Sequence, residues 1–236
     1  MKSGVTTFVA APLRVPVRGG RGLRTGTKLE FCIAKKFREF THAIRHAGRR
    51  GSGYRRCRRR SVTDGALSFR HCTPADAARV RRVAFACYTP YYSHLWEAGG
   101  MEAYLASLYE PIRLASELAD PNLCFEIAYR EEVPVGFSKL HYRCDRAGIA
   151  NAAYLERVYV APAVAGGGVG RQLIERMIAA ARARGRAWIW LQSMADATKP
   201  LERYLDLGFS ECERTSLDSP RVRADRRAML VLRMPL

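Results

Sequence analysis

The sequence predicts a mixed α/β fold in which a central sheet is flanked by helices. Three observations predict it: alternating apolar strands between Leu123 and Val160, a glycine cluster set between a strand and an amphipathic helix, and a repeat of strand and helix patterns up to the last residues. The regular pattern starts only at Leu67. Leu67 to His71 reads as a short strand. Thr73-Pro74 followed by Asp76 is a helix opening, with a capping hydroxyl, proline at the first helical position and an acid in the first turn. The helix it opens runs to about Cys87. Met101, Tyr104, Leu105 and Leu108 share one helical face, and Leu114 to Ala119 form a third, short helix. Leu123 to Arg130 and Pro134 to Tyr142 are two strands joined as a hairpin through Glu131-Glu132-Val133, and Tyr154 to Val160 is another. After the glycine cluster comes a helix with Leu173, Ile174, Met177, Ile178 and Ala181 on one face, stopped by Gly185. A buried strand from Ala187 to Leu191, a helix around Pro200 to Leu207, and strands near Phe209 to Thr215 and Ala228 to Met234 complete the chain.

Composition separates this domain from what precedes it. The 236 residues carry 40 Lys and Arg against 22 acids, a net of +18. Residues 1 to 63 hold 17 of the basic residues and only Glu30 and Glu39 as acids, which leaves 23 basic and 20 acidic residues, a net of +3, for 64 to 236. The charge therefore belongs to a low-complexity arm, 1–63, expected to be disordered, and the domain at 64–236 needs no polyanionic partner. A disordered arm with weak, non-specific nucleic-acid affinity, an acid-poor targeting segment and translated upstream sequence all fit the arm. Seven cysteines without a C-x-x-C pair, and no histidine at ligand spacing, point to reduced thiols in the cytoplasm and to no metal. No apolar run reaches the ~18 residues of a membrane helix, so no membrane partner is expected.

The chemistry is concentrated in Gly166-Gly167-Gly168-Val169-Gly170. Four glycines between a strand and a helix let several backbone N–H groups converge at a helix N-terminus, where the macrodipole adds about half a positive charge. That is a pyrophosphate cradle. The G-x-x-x-x-G-K-[ST] loop of nucleoside triphosphatases is absent. The next strand ends Leu191-Gln192-Ser193, without the acid that a dinucleotide fold or a methyltransferase uses on ribose.

Tyr159-Val160-Ala161-Pro162, the glycine run and Tyr204-Leu205-Asp206-Leu207-Gly208-Phe209 together resemble the GNAT family of N-acetyltransferases over residues 67 to 236. The resemblance implies the acyl-CoA N-acyltransferase fold, a mixed, mostly antiparallel central sheet flanked by helices, with acetyl-CoA as co-substrate and a primary amine as acceptor. It implies backbone contacts to the pantetheine arm from Val158 and Val160, beside the phosphate contacts expected of Gly166, Gly167, Gly168, Val169, Gly170 and Arg171. The family loop reads [QR]-x-x-G-x-[GA]. Here Ala165 holds the Gln/Arg position, so one side-chain contact is lost, and Ala197, beside Asp196, replaces a frequent asparagine.

Two catalytic residues follow. Moving an acetyl group to an amine requires the neutral amine, and an alkylammonium of pKa about 10.4 is rarely neutral at pH 7. Glu156 is on the strand that feeds the loop, where period two puts it on a face with Val158 and Val160. It is expected to be the general base, directly or through a water. The resemblance assigns Tyr204 as general acid to the departing thiolate. The segments His94-Leu95-Trp96 and Leu118 to Asn122 are similar to the PaiA-like branch, which implies polyamines. Glu97, Glu102, Glu110, Glu117 and Asp120, against Arg113 alone, give residues 94 to 122 a local net of −4 that would attract a cationic amine. A protein or peptide N-acetyltransferase, and a non-catalytic CoA-binding module with a nucleic-acid-associating arm, stay open as alternatives, as does a homodimer. A chain beginning at Val62 is expected to melt cooperatively and to turn over like the full chain. Any nucleic-acid binding by the full chain should fall steeply with salt and vanish on that truncation, as a filter-binding titration would show.

Overall fold

The computed structural model describes residues 65–236, so the expected basic arm lies outside the described residues. These residues form one seven-stranded sheet in the order β1-β2-β3-β4-β5-β7-β6. The strands are β1 (Leu67–His71), β2 (Leu123–Arg130), β3 (Val133–His141), β4 (Ala152–Val160), β5 (Trp188–Met194), β6 (Ser210–Ser216) and β7 (Ala228–Pro235). Every pairing is antiparallel except β4 with β5. The expected mixed, mostly antiparallel sheet is the one observed.

Five α-helices cover it: α1 (Ala77–Tyr92), α2 (Gly100–Leu108), α3 (Pro111–Ala119), α4 (Val169–Ala183) and α5 (Thr198–Asp206). At the start of α1, the Thr73 backbone N–H and hydroxyl both donate to the Asp76 carboxylate at 3.0 Å, and a short 3-10 turn over Pro74–Asp76 leads into the helix. The helix continues past Cys87 and through Pro90 to Tyr92. Proline removes one backbone donor, a small loss in a final turn whose Tyr88 and Tyr92 stack at 4.6 Å. The β2–β3 hairpin turns on Glu131 and Glu132, with Glu131 in the left-handed region at φ 54°.

The two faces of the sheet carry separate cores. Helices α1 to α3, with Tyr109 between the last two, pack Val80, Ala84, Leu105 and Leu114 against Phe125, Ile127 and Phe137. On the other face α4 lays Ile174, Met177, Ile178 and Ala181 on Leu140, Leu155, Ile189 and Leu191, the stripe that its 3.6-residue period predicts. Leu173, fully buried, joins Val164 and Val169 under the start of α4, which fixes the glycine loop to the end of β4. Among the described residues the five cysteines are free thiols. Burial pushes Cys72 and Cys87 up to about 12, which makes both poor nucleophiles.

Candidate active site

Strands β4 and β5 share only three register pairs, Ala152 with Trp188, Ala153 with Ile189 and Tyr154 with Trp190, while β5 is bonded to β7 from end to end. Beyond Tyr154 the two parallel strands part. The edge of β4 from Leu155 to Val160 then faces no strand, and its backbone donors and acceptors are open to a ligand. A cavity of about 220 Å³ opens in the gap. Its walls are β4 from Tyr154 to Tyr159, the end of β5, Tyr204 of α5, and an aromatic group made of Tyr88, Tyr92, Trp96 and Tyr104.

At the end of β4 the chain turns through Pro162–Val164 into the glycines. Gly166 (φ 84°) and Gly168 (φ 78°) are left-handed, which is why glycine stands at both. Gly168 is also the N-cap of α4. The Gly167 N–H donates to the Val164 carbonyl at 3.2 Å, so Gly167 contributes room rather than a donor. The first bond inside α4 runs from the Gln172 N–H to the Gly168 carbonyl at 3.1 Å. The amides of Gly168, Val169, Gly170 and Arg171 are thus left without an intrahelical acceptor at the positive end of a 15-residue helix. They suit a pyrophosphate. The Arg171 guanidinium pairs with Glu175 at 2.8 Å on the exposed face of α4, so Arg171 offers the cradle its amide.

The surroundings of Glu156 differ from the expectation. Lys139 pairs with Arg157 but Leu140 pairs with Leu155, so Glu156 is an extra residue, a β-bulge on β4. The bulge resets the alternation. Leu155 faces α4, whereas Arg157 and Tyr159 face the α1–α3 side. Val158 and Val160 pack towards α4, and Glu156 meets instead the residues of the opposite face. Period two across the strand fails there because the bulge adds one residue. The Glu156 carboxylate lies 2.7 Å from Lys139 Nζ and 2.5 Å from His141 Nε2, and it is ion-paired with Arg157. Lys139 also reaches Glu117 at 2.9 Å, so two acids and two permanent cations share this interior. Burial alone would push the Glu156 carboxyl up; Arg157, then Lys139 and His141, outweigh it and hold the group well below the usual range. Glu156 is an anion across the working pH range.

Tyr204 lines the same cavity and meets Phe209 edge to face at 5.8 Å. Burial, with the neighbouring Tyr92, raises its phenol, so it is a proton donor at neutral pH. The structure therefore brings Glu156, Val158 and Tyr204 to one cavity. Val160, the glycine run and Arg171 stand outside its lining, at the end of β4 and the start of α4.

The acidic residues of 94 to 122 are placed elsewhere, and none of the five lines the cavity. Glu110 caps α3 by accepting from the Arg113 N–H at 2.8 Å, Glu117 is paired with Lys139 and Arg113, and Asp120 accepts from the Asn122 N–H at 2.8 Å. Their local charge maintains the helices and the buried network. Asp196 likewise turns to Arg226 at 2.7 Å while Ala197 faces the cavity. Lys139, His141 and Arg157 were missed in the sequence, although charged residues inside strands otherwise apolar were a usable signal. Among the described residues no group of three or more His, Cys, Asp or Glu is placed to hold a metal ion, and no helix is long and apolar enough to cross a membrane.

Comparison with known proteins adds to this geometry. A family model described as the Acetyltransferase (GNAT) family matches residues 81–209. No curated protein matches the sequence. Among solved structures, the PaiA N-acetyltransferase of Thermoplasma acidophilum in complex with coenzyme A superposes with a TM-score of 0.59 at 18% identity, over 72% of this chain and 99% of that one. A GNAT acetyltransferase from Streptococcus pneumoniae gives 0.56 at 18% identity over 72% and 100%. The ribosomal-protein-S18-alanine N-acetyltransferase of Escherichia coli gives 0.54 at 18% identity over 72% and 94%. At these identities the superpositions show a shared fold.

The buried network has a testable stability signature. A carboxyl whose folded value is depressed contributes stability that is present above its unfolded value and is lost as pH falls through the folded one. Glu156→Gln should lower the unfolding free energy at pH 7 by about 3 kcal/mol, because it leaves buried cations uncompensated. The gap to the parent protein should shrink once pH drops below about 4, where the unfolded carboxyl takes up its proton. Urea unfolding at pH 7 and pH 3 checks this; a gap of constant size would mean that the cations do not hold the carboxylate.

Proposed function

Because the chain belongs to the GNAT family of acetyltransferases, we propose that it moves an acetyl group from acetyl-CoA to the primary amine of a small cationic molecule such as a polyamine. The observation that carries this reading is an arrangement along one strand. Four free amides stand at the far end of β4, an unpaired strand edge leads away from them, and a cavity holding a carboxylate and a phenol lies beside that edge. The bound thioester supplies an activated acetyl carbon. The amides of Gly168 to Arg171 hold the pyrophosphate, with Gly166 and Gly167 giving it room. The backbone edge at Val158 and Val160 receives the pantetheine arm as an added strand would be received.

The acceptor amine enters the cavity with a proton to lose. Glu156 is ionised, which suits it to accept a hydrogen bond from the ammonium. Its three basic neighbours also make it a poor resting place for a proton. It acts through a water: it orients and polarises the water that receives the proton, which then passes to solvent. The neutral amine nitrogen bonds to the acetyl carbon as the carbon–sulfur bond breaks; Tyr204 gives its phenolic proton to the departing sulfur and regains one, through water, from the second proton that the nitrogen sheds on becoming an amide. No metal takes part in this scheme.

A small acceptor is favoured over a protein terminus because one wall of the cavity is a tied seam lined by Leu95, Trp96 and Val222. Trp96 bridges Val222, the Glu97 N–H donates to the Arg221 carbonyl at 2.9 Å, and the Arg223 N–H donates to the Leu95 carbonyl at 2.9 Å. We place the enzyme in the cytoplasm, with its acceptor amine and acetyl-CoA as small-molecule partners. The direct test is thiol release from acetyl-CoA against polyamines, simple alkylamines, amino acids, aminoglycosides and peptides, with small cationic amines expected as the best acceptors.

Two variants probe the parts. Aspartate tolerates the left-handed region better than most residues, so Gly168→Asp should fold, yet it sets a carboxylate beside the cradle. Calorimetry should then show CoA affinity reduced at least tenfold, and unchanged affinity would remove the cradle from the scheme. Tyr204→Phe removes one hydroxyl and should lower kcat by about 10 to 10³-fold with CoA affinity and melting temperature held. A Phe variant with parental kcat, where chemistry limits turnover, would show that the ring only packs.

A further inference from the structure

Asp218, in the loop between β6 and β7, lines the acceptor cavity. The charged residues in the lining are Glu156, Arg157 and Asp218. Glu156 and Arg157 are ion-paired with each other. Asp218 makes no hydrogen bond or ion pair with any described residue, and its side chain is exposed. The cavity therefore carries one uncompensated negative charge. Its other wall is aromatic, with Trp96 and Tyr104 at 4.6 Å and Tyr92 and Tyr159 at 5.7 Å between ring centroids. Ring faces attract cations and offer nothing to an anion. The loop is held in place by the backbone bonds that join residues 95–97 to 221–223.

We propose that Asp218 is a specificity residue that receives a second, non-reacting cation of the acceptor. The proposal rests on the acetyl-transfer reading given above and adds to it the selection between amines. The reacting nitrogen must be neutral when it attacks, so its own charge is a poor basis for discrimination. A second ammonium keeps its charge throughout, and an unpaired carboxylate at the cavity wall can bind it in the ground state and the transition state alike. Such uniform binding appears in KM and leaves kcat nearly unchanged. An acceptor with a carboxylate in that position meets Asp218 with like charge and is rejected.

The test uses the full chain and matched pairs of acceptors, linear α,ω-diamines of three to six carbons against the monoamines of the same length, with thiol release as the readout. In the parent protein kcat/KM should favour the diamine by about tenfold at the best length, the size expected of a hydrogen bond to a charged group. Asp218→Asn should bring that ratio close to one by raising KM for the diamine alone, and Asp218→Glu should keep most of it. Because the side chain is exposed and unpaired, the melting temperature of both variants should stay within a degree or two of the parent. A ratio near one in the parent, or one that Asp218→Asn leaves unchanged, overturns the role of Asp218 while acetyl transfer stands. Absence of thiol release with every amine overturns the acetyl-transfer reading and this selection with it.

Discussion

Strand β4 is bonded to β3 along most of its length but to β5 only from Ala152 to Tyr154, and the working parts of the molecule follow from that one-sided pairing. A strand paired on both sides has no backbone group to offer a ligand. Once β5 turns away to pair with β7, six residues of β4 keep a bare edge inside the protein rather than at the rim of the sheet. An internal bare edge would be costly if nothing met it, because unpaired backbone groups need water or a partner. The gap it opens admits both, and the helices α1, α2 and α5 line that gap with rings instead of closing it.

The bulge at Glu156 is the second constraint. It places an acid among Lys139, His141 and Arg157, a grouping that costs desolvation and is tolerated because each charge has an opposite neighbour. The result is a carboxylate that remains ionised and fixed in direction at the cavity wall. The same neighbours reduce its basicity, which is why the proposed reaction gives the proton to water rather than to the acid itself. Position and basicity pull against each other here, and the structure favours position.

Much of this was legible in the sequence, and the unread parts have physical causes. The cradle could be read because four glycines between a strand and an amphipathic stripe leave few alternatives, and because Leu173, Met177 and Ala181 carry a period that solvent exposure would not produce. Tyr204 was singled out by the resemblance that residues Tyr204 to Phe209 carry, and its place on the cavity wall is what the structure adds. The environment of Glu156 could not be read, since nothing in Leu155-Glu156-Arg157 marks an extra residue and the bulge shows only in its pairing with β3. The acids around Glu117 misled for a related reason. Charge counted along a segment says nothing of direction, and Glu117 faces Lys139 across a distance of 22 residues that only folding closes.

The seam beside the cavity joins residues 95–97 to 221–223, two short stretches separated in sequence by strands β2 to β6. The cradle, by contrast, is built from neighbours between Val158 and Arg171. On the proposed reading, the acetyl donor is held by one contiguous stretch, while the acceptor cavity is bounded by a seam between distant ones. Mutational drift in the seam can retarget the enzyme towards new amines without disturbing how it takes up its acetyl donor, so relatives that share the contiguous stretch can be expected to diverge first in what they acetylate.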